Sequence, residues 1–320
     1  MKTHAIVSVL LAAFAGAAHA QAFPAKPVRL VVPFPPGGGT DLFSRAIAPR
    51  LSEAWGQQVI VDNRPGSGGT IGMAIALKSP PDGYTAVMGQ LANLSAAPSI
   101  YKSLPYDPVK DVAPVTQLVS TPLVLVSHPS LPVKNVKELV ALAKVKPDGL
   151  TYGSAGNGTL AHLSGEMFKT MTGTKILHVP YKGTSLALTE LMGGQITLYF
   201  SSIPPAVSLI KAGRLKALGV TSAKRAAALP EVPAIAQAGV SGYEAVNWYG
   251  LAYPAGTPRE IVARLHADTV RILKLPDVRE RLASDGGEAV GNTPEQFAAL
   301  IKSEAVKWAK VVKESGARID

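Results

Sequence analysis

The sequence contains no cysteine among its 320 residues. This absence excludes thiol catalysis, cysteine-ligated zinc and disulfide cross-links, and it leaves no cysteine for lipid attachment behind an export signal. A chain of this length can stabilise itself by burying apolar side chains, so it does not need disulfides. The histidines also show no metal-ligand spacing. We therefore expect neither a metal nor a cofactor.

Aromatic and charged residues are also few, at 6% and 17% of the chain, whereas 47% is hydrophobic. The 32 basic and 22 acidic residues give a net charge of +10, but no basic run reaches five residues. No basic stripe alternates with aromatic residues, which argues against a nucleic-acid partner. The charge therefore indicates solubility, or mild steering of anions toward the protein.

Long apolar runs are confined to the N-terminus. Lys2 precedes apolar and small residues over 5–18, and Ala18, His19 and Ala20 match the A-x-A cleavage pattern. The run is shorter than the ~20 residues of a spanning helix, so cleavage after Ala20 is favoured over a membrane anchor. We expect export to the periplasm as a soluble protein.

Short β-rich runs alternate with helical patterns in the first hundred residues. Strands are predicted at residues 28–32, 58–62 and 84–88, with helices after residue 40 and at residues 71–77. Such an order is typical of a parallel sheet covered by helices.

The same alternation returns in the second half of the chain. Extended runs at 115–119 and 123–126, separated by Thr121 and Pro122, would carry the chain into a second lobe, and residues 243–253 would bring it back. Further strands are predicted at residues 150–152, 176–179, 196–200 and 215–220. The predicted fold class is α/β with two lobes. Residues 1–20 form the signal, 21–123 and 247–320 the first lobe, and 124–246 the second.

Helix starts are marked by polar caps. Asn135 with Glu138 resembles a capping box, and Thr257 and Thr293 each stand before a proline, as N-caps often do. The last helix carries an apolar stripe that indicates core packing, formed by Phe297, Leu300, Ile301, Trp308 and Val311.

Two glycine-rich strand-to-helix junctions carry the functional signal, one in each predicted lobe. They are residues 37–41, GGGTD, and residues 153–159, GSAGNGT. A helix N-terminus presents unpaired N–H groups and the positive end of its dipole, and glycine lets a ligand approach the backbone closely. Tight turns alone could explain one such loop. Two at matching positions favour an anion site at the carboxyl ends of the strands.

Enzymatic motifs are missing. The chain has no complete G-x-G-x-x-G fingerprint, no Walker A motif and no G-x-S-x-G elbow. Asp41 could act as a catalytic carboxylate, or it could cap its helix or hold the loop. His162 could hydrogen-bond a ligand, or it could fix the second glycine loop internally.

Seven segments resemble the Bug-type receptors, the periplasmic substrate-binding proteins of tripartite tricarboxylate transporters. They are residues 33–41 (PFPPGGGTD), 63–69 (NRPGSGG), 81–85 (PDGYT), 104–108 (LPYDP), 178–183 (HVPYKG), 218–225 (LGVTSAKR) and 254–258 (PAGTP). They occur in order over essentially the whole mature chain.

The resemblance implies a Venus-flytrap, type II-like fold with a ligand in the cleft between the lobes. In this family the two glycine loops grip carboxylates through backbone N–H groups and waters, and the position of Gln90 faces the cleft. Ser201 stands where the family often has aspartate, which disfavours an amino-acid ligand. The implied ligand-binding residues are Phe34, Pro35, Gly38, Gly39, Thr40, Asp41, Gln90, Ser154, Gly156, Asn157, Gly158, Thr159 and Ser201.

We therefore expect a receptor for a small carboxylate that passes it to membrane transporter subunits, acts as a monomer and is not an enzyme. Two other functions stay open. The protein could be a sensory receptor for a signalling partner, or an enzyme that processes a carboxylate in the same cleft with a pair such as Asp41 and His162.

Overall fold

The computed structural model describes residues 23–147 and 149–317. The predicted export signal with its cleavage after Ala20 lies outside these residues. Within them, no helix has both the length and the apolar character needed to cross a bilayer.

The first sheet contains three parallel strands in the order β2-β1-β3, extended by antiparallel neighbours. They are β1 (Val28–Val32), β2 (Val59–Asn63), β3 (Thr85–Gln90), β9 (Val246–Pro254), the first part of β4 (Val112–Ser127), and the short β10 (Glu288–Ala289). β9 runs antiparallel to both β3 and β4. The predicted strands at 28–32, 58–62 and 84–88 are therefore present to within two residues.

Helices cover both faces of the first sheet. They are α1 (Gly39–Trp55), α2 (Thr70–Leu77), α3 (Ala97–Ile100), α8 (Arg259–Ile272), α9 (Pro276–Ser284) and α10 (Pro294–Ser315). In α1, Phe43, Ile47 and Leu51 recur every four residues and are all buried against the sheet. This helical spacing forms one apolar face that packs against the sheet.

The second sheet joins parallel strands β5, β6 and β7 to the second part of β4, with β8 also paired to β4. Its strands are β5 (Thr151–Ser154), β6 (Leu177–Pro180), β7 (Leu198–Ser202) and β8 (Lys216–Val220). Its helices are α4 (Val136–Val145), α5 (Leu160–Thr172), α6 (Thr184–Met192) and α7 (Ile203–Lys211). Both sheets are thus mixed, each built around a parallel set.

Strand β4 passes from one sheet to the other without a break, although Thr121 and Pro122 were predicted to separate two runs. It pairs with β9 up to Pro122, opposite Val246, and with β7 from Leu123, opposite Ser202. Proline removes a backbone donor. Pro122 nevertheless fits because it stands at the last pair with one partner, directly before the next partner begins.

The predicted caps are confirmed at two of three helices. Asn135 accepts the Glu138 N–H at 2.9 Å, and Thr293 forms a capping box with Gln296. The prediction for Thr257 is wrong: α8 starts at Arg259 with Pro258 as its N-cap. The Thr257 hydroxyl instead donates to the Pro254 carbonyl at 2.8 Å, which ties it to the end of β9.

Candidate functional site

The carboxyl-terminal edges of the two sheets face each other across the crossover in β4. In the first sheet β4 runs in the same direction as β1 and β3, so these strands end where β4 leaves the sheet. In the second sheet β7 and β5 run against β4, so they end where β4 enters. The two glycine loops follow β1 and β5, and this topology therefore places both beside the same crossover.

The first glycine loop, residues 37–41, lies in the segment that runs from the end of β1 into α1, and Gly38 is the N-cap of this helix. Gly37 has a φ of +83°, which a residue with a side chain adopts only under strain. Among the described residues, no hydrogen-bond acceptor lies opposite the N–H groups of Gly38, Gly39 and Thr40. Three donors at the positive end of a helix dipole form a cradle for an anion.

Asp41 braces this loop from inside. Its buried carboxylate accepts hydrogen bonds from the Gly37 N–H at 2.9 Å, from Asn63 Nδ2 at 3.0 Å and from Arg45 Nε at 2.9 Å. Burial favours the protonated acid, but these donors outweigh it and hold the pKa of Asp41 below its ordinary value. Of the roles left open for Asp41, the structure supports holding the loop.

Gln90 and Gly39 are brought together by two residues that sequence reasoning missed. Asn247 Nδ2 lies 3.0 Å from Gln90 Oε1 and 2.9 Å from Tyr249 Oη. A side chain on Gly39 would meet Tyr249, because its Cβ would lie 2.5 Å from that hydroxyl. Burial raises the pKa of Tyr249 to about 12, so it stays neutral. The pairing register of β9 with β3 places Asn247 and Tyr249 beside Gln90. No short-range sequence pattern predicts this arrangement.

Phe34 lies against a third glycine loop, residues 66–69, that precedes α2. Its carbonyl accepts from Asn63 Nδ2 at 3.1 Å, and its ring leaves no room for a side chain on Gly69. Beside Gly69, the buried Asn93 holds an Nδ2 group without a hydrogen-bond partner among the described residues. Pro35 is exposed.

The second loop, residues 154–159, is fixed mostly by its own hydrogen bonds. The hydroxyl of Thr159 donates to the Gly156 carbonyl at 2.7 Å, and the Gly156 N–H donates to Ser154 Oγ at 3.2 Å. Within the part of the chain that the structure describes, the N–H groups of Ala155, Asn157 and Leu160 have no acceptor. The second loop thus offers an arrangement of free donors like that of the first.

Two histidines support this second loop. Gly158 donates its N–H to His162 Nδ1 at 3.1 Å, so of the two roles considered for His162 the internal one is observed. His178 on β6, which we did not predict, has Nε2 2.7 Å from Ser154 Oγ. Burial, the adjacent His162 and Lys169 lower the pKa of His178 to about 3. The motif at 178–183 could have drawn attention to it.

Ser201 lies inside β7, because this strand continues to Ser202 instead of ending at residue 200 as predicted. It is fully buried, pairs with Val124 and donates its hydroxyl to the Ser202 carbonyl at 2.9 Å. None of its hydrogen bonds reaches either glycine loop. It nevertheless stands one residue from the carboxyl end of β7, at the crossover.

The groups at this edge are hydrogen-bond donors and acceptors suited to binding an anion. The Ser154–His178 contact resembles a nucleophile–base pair, but a histidine with a pKa of about 3 is a weak base at neutral pH. Among the described residues, no cluster of three or more histidine, aspartate or glutamate side chains could hold a metal. A groove of about 320 Å³ lies elsewhere, between α4, α5 and residues 238–241, and none of the predicted residues lines it.

Known proteins resemble this chain over nearly its full length. A UPF0065 protein from the tcbD-tcbE intergenic region of Pseudomonas sp. (strain P51) is 40% identical, and the alignment covers 92% of this chain and 87% of that protein. Protein BugT of Bordetella pertussis is 35% identical and covers 98% of this chain and 96% of its own.

Solved structures share the fold. R. palustris Rpa4515 with adipate has a TM-score of 0.85 at 39% identity, covering 93% of this chain and all of that one. MatC from Rhodopseudomonas palustris with bound malate has a TM-score of 0.81 at 33% identity, covering 91% of this chain and all of that one. The predicted two-lobed α/β fold of periplasmic binding proteins is confirmed.

The family model described as tripartite tricarboxylate transporter family receptor matches residues 43–317. The chain belongs to this family of solute-binding receptors, TctC.

Proposed function

We propose that this protein captures a small carboxylate between its two lobes and delivers it to a tripartite tricarboxylate-type membrane transporter. The observation that carries the proposal is the pair of glycine loops at the facing sheet edges, each with free N–H groups at a helix start. Backbone donors bind a carboxylate without a neighbouring lysine or arginine, and they keep their geometry because the loops are internally braced.

The ligand class we favour is a dicarboxylate without an ammonium group. Two cradles on opposing lobes suit a molecule with an acceptor at each end. The solved structures of relatives with adipate and with bound malate support this choice. Ser201 adds no carboxylate to pair with an amino group, which fits the same class.

Within the site we assign binding to the backbone and stabilisation to the side chains. Gly38, Gly39 and Thr40 in the first lobe and Ala155, Asn157 and Leu160 in the second would donate to the ligand. Gln90, with Asn247 and Tyr249 behind it, would line the floor beside the crossover. We further propose lobe limits at 21–123 with 247–320 and at 124–246, export to the periplasm with cleavage after Ala20, and a monomeric state.

Ligand binding would close the lobes only to the extent that the closed form binds more tightly than the open form. Because the two sheets share β4 and the chain returns to the first sheet at the start of β9, closure would bend the chain near residues 121–123 and 245–247. The membrane transporter would then recognise the closed form.

The test is a thermal-shift and calorimetric screen of the mature chain with succinate, malate, adipate, citrate, benzoate and aspartate. A ligand at 100 times its dissociation constant adds about 2.7 kcal/mol to the free energy of unfolding. We expect stabilisation by at least one dicarboxylate, with one molecule bound per chain and recovered unchanged. The absence of a shift with every carboxylate would contradict the proposal, and turnover of the bound molecule would favour an enzyme.

A further inference from the structure

His162 and His178 form a stacked pair that holds the second glycine loop from two different elements. His162 lies in the first turn of α5 and His178 on β6, with ring centroids 4.1 Å apart and planes inclined by 16°. Tyr152 stacks on the other face of His178, at 4.9 Å. The pair therefore sits in a layer of three rings behind the loop.

Each histidine holds one end of the loop. His178 Nε2 lies 2.7 Å from Ser154 Oγ, and the same oxygen accepts the Gly156 N–H at 3.2 Å. At the other end His162 Nδ1 accepts the Gly158 N–H at 3.1 Å. The N–H groups of Gly156 and Gly158 are thus paired inside the protein. Those of Ala155, Asn157 and Leu160 have no acceptor among the residues that the structure describes.

The protonation state of His162 follows from this geometry. Because the Gly158 N–H donates to Nδ1, this nitrogen carries a lone pair, and the ring proton of neutral His162 is on Nε2. A second proton would have to enter at Nδ1 and would face the Gly158 N–H. The observed loop is thus compatible with neutral His162 alone.

We propose that His162 and His178 are positioning residues that shape loop 154–159 into its anion-binding form. This rests on the proposed function, since the shaped loop is the half of the cradle supplied by the second lobe. Neither ring would need to touch the ligand. Their effect on affinity would come from holding Gly156 and Gly158 in place, so that free donors are ordered before the ligand arrives.

Paired substitutions at each histidine separate the effect of its hydrogen bond from the effect of its side-chain volume. His162→Leu removes the acceptor for Gly158, whereas His162→Asn places Oδ1 near the position of Nδ1 and restores it. His178→Phe keeps the ring stack and removes the contact with Ser154, whereas His178→Gln keeps a polar group near Nε2. His128→Leu is the matched control, because His128 makes a 2.7 Å contact with Ser130 in an unrelated turn.

Two measurements test the proposal on the mature chain, with circular dichroism to verify folding. Amide hydrogen exchange of loop 154–159 reports loop order without any ligand, and calorimetry with adipate as the probe reports affinity. We expect His162→Leu and His178→Phe to raise loop exchange and weaken adipate binding, each about tenfold. The Asn and Gln variants should stay within about threefold of wild type, and His128→Leu should match it.

Wild-type exchange and affinity in both His162→Leu and His178→Phe would overturn the proposal. Faster exchange with unchanged affinity would also overturn it, because the loop shape would then not matter for binding. Equal losses in the Leu and Asn variants would do the same. If the wild-type chain binds no carboxylate but its loop exchange responds as expected, the positioning role stands and the proposed function fails.

Discussion

Gly38, the N-cap of α1, has ordinary backbone angles, and its missing side chain leaves open space. Its φ is −84°, and a Cβ built there meets only the Pro35 carbonyl oxygen, at 3.9 Å. We expect Gly38→Ala to fold like wild type and to bind a carboxylate at least about tenfold more weakly, because the new methyl group would stand where the ligand approaches the N–H donors. Calorimetry with the best dicarboxylate of the screen measures the change.

A matched control for this substitution is Gly193→Ala at the far end of α6. Gly193 also has a negative φ, of −80°, and its nearest neighbour to a new Cβ is the Thr189 carbonyl at 3.5 Å. Its affinity should equal that of wild type. Unchanged affinity in Gly38→Ala would show that the ligand does not approach the first loop.

Other glycines of the site are poor tests, since their substitution would disturb the fold itself. A side chain on Gly39 would collide with Tyr249, and Gly156 has a φ of +132° that strains any other residue. A loss of binding in such variants could come from a disturbed fold as well as from a blocked ligand contact. The difference among these neighbouring glycines is visible only in three dimensions.

The site residues that the sequence could predict are those of local loops, and those it could not are long-range partners. Glycine-rich junctions are recognisable within seven residues of sequence, and both lie at strand ends as expected. Asn247 and Tyr249 meet Gln90 across about 160 positions of sequence. Their place depends on the register of β9, which no local pattern specifies.

Helix α10 packs against β4, α3 and α5, and it begins with a complete capping box. Its first residues follow Thr293, whose hydroxyl accepts the Gln296 N–H at 3.2 Å while Gln296 Oε1 accepts the Thr293 N–H at 3.0 Å. We expect Thr293→Ala to lower the free energy of unfolding by about 1 kcal/mol. Thr293→Ser should keep most of that stability. Urea unfolding followed by circular dichroism measures both, and equal losses would contradict the role of the hydroxyl.

Most elements were predictable because their apolar spacing is local, and β1 matches its predicted bounds of residues 28–32. The continuous β4 was not, because its two parts have different partners and a proline between them. A residue pattern predicts a strand, but it does not show where that strand changes sheets. The same limit explains Ser201, which falls inside β7 because pairing with β4 extends that strand.

The whole molecule should lose stability in weakly acidic solution, because it holds a buried histidine, His162, and a partly buried one, His178, in neutral form. Folding lowers the pKa of His178 from 6.5 to about 3 and also lowers that of His162, mainly through burial. Between those two values the unfolded chain binds more protons than the folded one. The free energy of unfolding therefore falls as the pH drops below 6.5, and it is fully regained above that value.

The loss of stability just below pH 6.5 can be assigned to the histidines, because the carboxylates act at lower pH. Asp41 and Asp62 also have lowered pKa values, but their contribution to stability begins to be lost only near pH 3.8, where unfolded aspartates titrate.

We expect urea midpoints to decline steadily from pH 7 to pH 5 in the wild type and less steeply in His178→Phe, which cannot take up that proton. The His128→Leu control should decline like the wild type. The Glu166 carboxylate and the Lys169 ammonium act on His162 in opposite directions and are retained in all variants, so any difference in slope belongs to the ring at position 178. Identical slopes in wild type and His178→Phe would mean that this histidine takes up its proton equally in the folded and unfolded states.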